Sequence, residues 1–353
     1  ERRALRAGIN MDMVGQGLVA QHGVFHVAAT PYSQPHFIND LVRAVAEMTI
    51  LMNNDANARF PGNQYGRFAN RIVSPTGSED VFWCDFLPFD GGSDNVPLNR
   101  PEYNIPTAYY EVWPDSSYHT NEDVAANSDA TQLRRVAFMA AVAATVYATA
   151  TPETVARTLP EFVSRSQGRI AEELRRSGEL LATAKGPELG EAYRLGRVIL
   201  EEAHEREATA LESLVQLSRD SQEVSAQVRD EAGRMRADSA RSLEALRRFH
   251  ANQCKVRGVA ETRPARIPLE ENLDKLVPLR VTRDEGPAGV ARTNTVASTR
   301  YAAYELYNYM DGRRSVYGIW RKLYAEFGRV TLADVRDFIQ AHEKAGHIRI
   351  SRP

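Results

Sequence analysis

Residues 4–15 read ALRAGINMDMVG, and this stretch gives the first indication of the fold. An apolar run over residues 4–11 ends in one acid, Asp12, and Gly15 and Gly17 follow it. Short apolar runs bounded by glycine are typical of buried strands. The pattern therefore predicts a buried strand that places Asp12 at its carboxyl end.

Helix and strand patterns alternate through residues 1–150 and predict an α/β domain with a covered sheet. Residues 105–112 form a second apolar and aromatic strand-like run, and a loop rich in Gly, Asn and Pro precedes it. A helix is expected from about Asp129, with Ser128 or Asp129 as its cap. Residues 35–53 predict another helix from apolar side chains at helical spacing: Phe37, Leu41, Val45 and Met48.

The remainder of the chain divides into three stretches by composition. Residues 151–260 are rich in Glu, Arg, Ala and Leu and predict two or three long amphipathic helices, with a break at Gly186–Pro187. Residues 261–295 have the composition of a linker. Residues 296–353 predict three helices and a strand, a winged-helix-like outline. The third helix carries three acids and two strong bases over residues 331–346, which favours protein contact or packing over DNA binding.

The overall composition is that of an ordinary globular protein and limits the function classes. The formal net charge is −2, so nothing attracts the whole chain to nucleic acid or to an anionic membrane. Cys84 and Cys254 are far apart and form no zinc-binding cysteine pair, although a disulfide between them is not excluded. The longest apolar run, residues 136–150, is shorter than the roughly 20 residues that span a bilayer, and it predicts a buried helix.

The first residues of the sequence indicate whether further residues are expected upstream. The sequence begins at Glu1, without methionine or a signal peptide, and enters an apolar segment almost at once. We therefore expect the C-terminal part of a longer protein, or a processed product.

Three segments that could carry chemistry are expected to meet at one edge of the predicted sheet. Asp12 ends a strand, Asp94 lies in the glycine loop GGSD of residues 91–94, and His119 follows the strand-like run of residues 105–112. Sites of α/β sheets form at the carboxyl ends of strands. Carboxylate and imidazole are a normal ligand mixture for zinc. Two ligands do not make a site, however, and an ordinary turn role for His119 stays open.

The ordered motifs resemble the C-terminal half of the zinc aminopeptidase and glutaminyl-cyclase clan. These motifs are NMDMVGQ (residues 10–16), FDGGSD (89–94), the IP and aromatic strand at 105–112, WPDSSYHTNED (113–123) and NSDATQL (127–133). The resemblance covers roughly residues 4–150. The segment YELYNYMDGRRSVYGIWRKLYAEFG (304–328) is similar to that of bacterial members with a helical region and a winged-helix-like tail.

The resemblance implies a two-zinc exopeptidase with an α/β/α sandwich fold that removes N-terminal residues from peptides. Asp12 matches the family's ligand to one zinc, and His119 matches the ligand to the other. The resemblance also suggests a location outside the cytoplasm, in the periplasm or secreted, and it leaves the oligomeric state open.

The same resemblance assigns further residues around the expected metal site. The GSD motif borders the substrate pocket in family members, and Gly92, Ser93 and Asp94 match it. Asp123 matches the acid after the HT motif, where it would either support the metal ligands or cap a helix, and the cap is favoured.

Departures from the family pattern leave three functions open. The family's first histidine ligand, bridging aspartate and paired glutamates, which include the general base, all precede the strand that ends in Asp12. The family also often has histidine after GSD, where this chain has Asn95. We therefore expect this chain alone to be inactive or to bind metal weakly. The alternatives to the peptidase are an inactive binding scaffold and a glutaminyl-cyclase-like acyl transferase with a single zinc.

Overall fold

The computed structural model describes residues 5–57, 71–262, 266–282 and 293–351. The chain divides into two compact units. Unit 1 contains residues 1–158 and 213–225, and unit 2 contains residues 159–212 and 226–353. Three predicted segments lie partly outside the described residues: the strand over residues 4–11, the loop that precedes residue 105, and the linker over residues 261–295.

Unit 1 is built on a four-stranded mixed sheet in the order β1-β4-β2-β3. Its strands are β1 (Gly8–Met11), β2 (Val24–Ala28), β3 (Cys84–Leu87) and β4 (Thr107–Trp113). β1 runs parallel to β4, β2 runs antiparallel to β4, and β3 runs parallel to β2. The helices of this unit include α1 (Ile38–Asn57), α2 (Asn95–Leu98) and α3 (Ala130–Thr149). The predicted α/β class is confirmed at this level.

The two faces of the sheet differ in chemistry because side chains alternate along each strand. Tyr110 of β4 aligns with Val27 of β2 and, through it, with Phe86 of β3, and this face is apolar. Helix α1 packs here, since the Arg43 guanidinium lies 4.4 Å from the centre of the Phe86 ring. The opposite face carries the polar side chains of His26 and Glu111, which are described with the candidate site below.

Strand β3 corrects the sequence analysis, which placed a loop there. Its four residues, CDFL, follow the apolar and aromatic run of residues 81–83, but Asp85 and Pro88 interrupt this run and two glycines follow it. The strand forms because it pairs with β2, with Phe25 opposite Cys84 and Ala28 opposite Leu87. Such pairing across more than fifty residues is absent from any local pattern.

Helix α3 begins where its cap predicts. The Asp129 carboxylate accepts hydrogen bonds from the backbone N–H groups of Thr131 and Gln132, which selects Asp129 over Ser128 as the cap. The buried helix predicted for residues 136–150 is correct for one face only. Met139 is fully buried, whereas 37% of Val146 is exposed. Within the described ranges, no helix has both the length and the hydropathy needed to cross a bilayer.

Residues 151–260 form four helices rather than two or three. They are α4 (Pro152–Thr183), α5 (Leu189–Glu212), α6 (Gln222–Ala237) and α7 (Ser239–Arg257). The break predicted at Gly186–Pro187 is confirmed as a short 3-10 turn between α4 and α5. The other two helix boundaries fall at residues 213–221 and at Asp238, where no glycine or proline marks them.

The C-terminal stretch contains the predicted three helices and terminal strand. Its elements are α8 (Pro268–Leu273), β5 (Val277–Arg280), α9 (Thr295–Ser298), α10 (Ala302–Tyr309), α11 (Val316–Phe327), α12 (Leu332–Lys344) and β6 (Ile348–Ser351). β5 and β6 form an antiparallel pair, so the segment with linker composition supplies one strand. Val198 and Ile199 of α5 lie in the same apolar core as Leu306, Trp320 and Ile339.

Protonation of His36 is expected to destabilise unit 1. His36 is 3% exposed, its Nδ1 accepts from the Ile38 N–H at 3.2 Å, and its Nε2 lies 3.0 Å from Gln216. Burial lowers the pKa of His36 to about 4, against an opposing effect of the Gln216 hydrogen bond. A folded-state pKa below the unfolded value of about 6.5 means that stability is retained above that pH and is lost as the pH falls toward 4.

The full loss amounts to about 3 kcal/mol of unfolding free energy. Urea unfolding of the wild type and of His36→Gln at pH 7.5 and pH 4.5 measures it. The variant is expected to lose less stability than the wild type on acidification. Equal losses in the two proteins would exclude His36 as the titrating group.

Candidate functional site

Asp12 is an exposed carboxylate fixed at the end of β1. Its backbone N–H donates to the Tyr110 carbonyl at 3.2 Å, which continues the parallel pairing with β4 by one residue. Met13, the next residue, has a φ of 56°. Such a positive φ is uncommon for a residue other than glycine and is found most often where function or local packing requires it. The chain therefore turns sharply immediately after Asp12.

The glycine loop reaches this carboxylate directly. The Ser93 hydroxyl donates to Asp12 Oδ2 at 2.7 Å, although 81 residues separate the two in sequence. Gly92 has a φ of 136°, a conformation open essentially to glycine alone, which explains the glycine at this position. Asp94 stands at the start of α2 and makes no capping hydrogen bond. The structure thus brings Ser93 to Asp12 and leaves the Asp94 carboxylate uncommitted to the helix.

Asn95, the residue that follows the GGSD loop, makes a structural contact. It is fully buried, and its Nδ2 donates to the Asp90 carbonyl at 2.7 Å. This hydrogen bond closes the GGSD loop on itself. A buried side chain in this orientation holds the loop in shape.

His119 lies at an exposed, left-handed position of its loop. Its φ is 56°, and its ring stacks on Tyr118 with 3.7 Å between ring centres. Tyr118 in turn meets the exposed Trp113 edge to face at 5.3 Å. The imidazole therefore belongs to a short row of exposed aromatic rings that starts at the end of β4.

Hydrogen bonds join the His119 loop to the segment after Asp12. Gln16 Nε2 donates to Asp115 Oδ2 at 2.9 Å, and the Asp129 N–H donates to the Gly15 carbonyl at 2.7 Å. Because β1 and β4 are parallel neighbours, their carboxyl ends lie at the same edge of the sheet. The loop that carries His119 and the strand end that carries Asp12 are therefore held at one edge.

Asp123 does not have the cap role that was favoured for it. The short 3-10 turn at Ala125–Asn127 has Val124 at its N-cap position, and α3 uses Asp129. Asp123 is exposed, and its backbone N–H donates to the Thr120 carbonyl at 3.3 Å. The helix-cap interpretation was wrong because the cap of α3, Asp129, lies six residues further along the chain.

Sequence analysis missed a largely buried polar row on the sheet face opposite α1. Glu111 of β4 aligns with His26 of β2, and His26 Nδ1 lies 3.7 Å from Glu111 Oε1. Tyr109, two residues before Glu111, points to the same face. Burial, the adjacent Glu111 and the nearby Asp12 all raise the pKa of the Tyr109 phenol. The alternation in TAYYEVW already places Tyr109 and Glu111 on one face, but only the strand register shows that His26 joins them.

The donor types match zinc, whereas their number does not. Zinc takes nitrogen and oxygen ligands, usually with three or four from the protein. Over the described ranges, no group of three or more His, Cys, Asp or Glu side chains is placed to hold a metal ion. Asp12 and His119 therefore do not complete a zinc centre with the other described residues.

Comparisons with known proteins add no family assignment. Family models, curated proteins and solved structures all yield no significant match. The function must therefore be argued from the residues and from the geometry of this edge of the sheet.

Proposed function

We propose that this chain is part of a zinc-dependent aminopeptidase, in which Asp12 and His119 each contribute one ligand to a two-zinc centre. The supporting observation is that three motifs of the resemblance meet at one sheet edge. Ser93 bonds to Asp12, and Gln16 bonds to Asp115 in the His119 loop. In the resemblance, the remaining ligands come from segments that precede the strand ending in Asp12.

The negative charge near the carboxyl end of β1 suits the positively charged amino terminus of a peptide. Glu111 and Asp12 are close enough to act electrostatically on the same phenol, Tyr109. Negative carboxylates beside an exposed strand end attract an alkylammonium group. When bound, zinc would polarise the scissile carbonyl and activate water. The residues of this chain would orient the peptide, with Ser93 holding one oxygen of Asp12 through its hydroxyl hydrogen bond.

The C-terminal stretch fits a winged-helix-like domain used for protein contact. Three helices and the β5–β6 pair support this finer assignment. Helix α12, which would be the recognition helix of such a fold, carries acids at Asp334 and Asp337 beside Arg336. Arg336 is already paired with Asp337 at 2.7 Å. We do not expect this helix to bind DNA, because phosphate groups would meet negative charge.

A peptidase-like binding scaffold is the second candidate, and Asn95 favours it. The family often has histidine at this position, but Asn95 is buried and bonded to the Asp90 carbonyl. A scaffold would keep this loop geometry without any need for metal.

Zinc content and hydrolysis distinguish these functions. The sample is the natural full-length protein, analysed for zinc per chain and assayed with aminoacyl fluorogenic amides. About two zinc ions per chain, together with release of the N-terminal residue, are the result expected for the peptidase. One zinc with cyclisation of N-terminal glutamine identifies acyl transfer instead. A folded protein without zinc or hydrolysis identifies the scaffold.

Substitution of the two proposed ligands tests the residue assignment. We expect Asp12→Ala and His119→Ala each to lower zinc affinity at least about tenfold, because each removes one ligand. His22→Ala is the matched control, since His22 also has a positive φ of 54° but lies in the turn before β2. Unchanged zinc affinity in both ligand variants would contradict the assignment.

A further inference from the structure

Helix α7 presents an outer face whose chemistry the proposed peptidase does not use. Its inner face is fixed by Leu246 and Cys254, which are buried in a core with Leu181 and Leu200. The opposite face is therefore directed away from this core by the helix geometry itself. Its exposed residues are Arg241, Glu244, Arg248, Phe249, Asn252, Lys255 and Val256.

A basic row runs along this outer face. Arg241, Arg248 and Lys255 are seven residues apart, so they follow one another along the helix axis over about 21 Å. Arg241 is 86% exposed and lies 3.2 Å from Asp238. In the part of the chain that the structure describes, Arg248 and Lys255 have no acid within ion-pair distance. Arg248 and Lys255 are therefore two strong cations without a counter-charge among the described residues.

An apolar row lies beside the basic row. Phe249 and Val256 each follow a member of the basic row by one residue, and they are 48% and 81% exposed. Large apolar side chains exposed in line with one another mark an interaction surface more often than singly scattered ones do. Ala245 and Asn252 lie along the same strip as small or polar residues.

The spacing fits a helix as the occupant. Apolar residues every seven positions, flanked by charges every seven positions, are the pattern with which one helix packs along another. The flanking charges select the partner, and a basic row selects an acidic one. A second copy of α7 would bring the same cations into contact and is disfavoured. We propose that the outer face of α7 binds an acidic amphipathic helix of a partner protein.

A designed peptide serves as the probe. It is a fluorescein-labelled helix of three heptads with leucine at the a and d positions and glutamate at e and g. The matched control peptide has lysine in place of each glutamate. We expect saturable binding of the acidic peptide, measured by fluorescence anisotropy, and none of the lysine peptide. Binding should weaken as salt is raised, because the charges are exposed.

Variants of the intact chain locate the binding surface. Arg248→Glu combined with Lys255→Glu is expected to weaken binding at least about tenfold, since attraction becomes repulsion at two positions. Phe249→Ala should also weaken it, through the lost apolar contact. Arg229→Glu, an exposed charge reversal on α6, is the control and should bind like the wild type. Circular dichroism confirms that each variant is folded.

Three outcomes would overturn the proposal. The acidic peptide could fail to bind the wild type. It could bind the double variant as tightly as the wild type. Finally, vesicles of phosphatidylglycerol could bind through Arg248 and Lys255 while the peptide does not, which would identify a membrane surface as the occupant.

Discussion

Gly77→Ala is expected to lower the unfolding free energy of unit 1 by about 4 kcal/mol, from overpacking together with loss of the α3 cap. A Cβ atom at position 77 would clash with the Thr131 backbone nitrogen and would lie 2.7 Å from Asp129 Oδ1. The first contact is with backbone at the beginning of α3, which cannot rotate away. Asp129 would have to move, and it accepts hydrogen bonds from the Ser78 N–H and hydroxyl, both at 2.7 Å, besides capping the helix.

Urea unfolding followed by circular dichroism measures this effect. Gly168→Ala is the matched control, since nothing lies within 4 Å of a Cβ at that position and the residue is inside α4. Alanine in a helix is favoured over glycine, so this control should be neutral or stabilising by up to about 1 kcal/mol. A loss below about 1 kcal/mol in Gly77→Ala would show that the start of α3 can yield to the added methyl group.

Glu207→Ala is expected to destabilise unit 2 by about 4 kcal/mol. The Glu207 side chain is 2% exposed and accepts from Arg169 Nη2 at 2.6 Å and from Arg206 Nε at 3.0 Å. Burial alone would raise the pKa of Glu207, but the two guanidinium groups outweigh burial and lower it. Removing the carboxylate takes away the ion-pair partner that Arg169 and Arg206 share, while Arg206, whose side chain is 14% exposed, retains a longer contact with Glu173 at 3.5 Å.

Two further variants test the physical cause. Glu172→Ala removes an exposed partner of Arg175 and should leave the stability nearly unchanged, because exposed ion pairs contribute little. Replacing Arg169 and Glu207 together by methionine should recover much of the loss, because it removes one cation along with the carboxylate. If the double variant is no more stable than Glu207→Ala, the loss comes from packing rather than from unpaired charge.

Elements with a strong local pattern could be predicted from the sequence. Helix α11 begins at a Ser315 cap and ends at Gly328, and helix α12 begins at a Thr331 cap. Asp129 and Gly186 also mark helix boundaries through their own chemistry. Strand β3 could not be predicted, because its stability depends on pairing with β2. Apolar composition alone also failed to show that α3 is exposed along one side, since it does not indicate what packs against a helix.

The candidate site could also be predicted only in part, because some of its contacts depend on strand pairing. Asp12 and Ser93 could be selected by motif, and their contact follows from the loop geometry around Gly92. The pairing of His26 with Glu111 depends on the register of two antiparallel strands. No periodicity in one sequence encodes which residue of another strand lies opposite.

The apolar core that α5 shares with the C-terminal helices has a consequence for truncation. A chain cut at residue 260 would expose Val198 and Ile199 of α5, which now pack against Leu306 and Trp320. It would also leave Glu202 without Arg321 and Lys322, which it contacts at 2.7 and 2.9 Å. If such a shortened protein lost an activity, the loss could come from the newly exposed apolar surface of α5 rather than from the missing helices. Point substitutions at exposed positions of the C-terminal helices avoid this ambiguity.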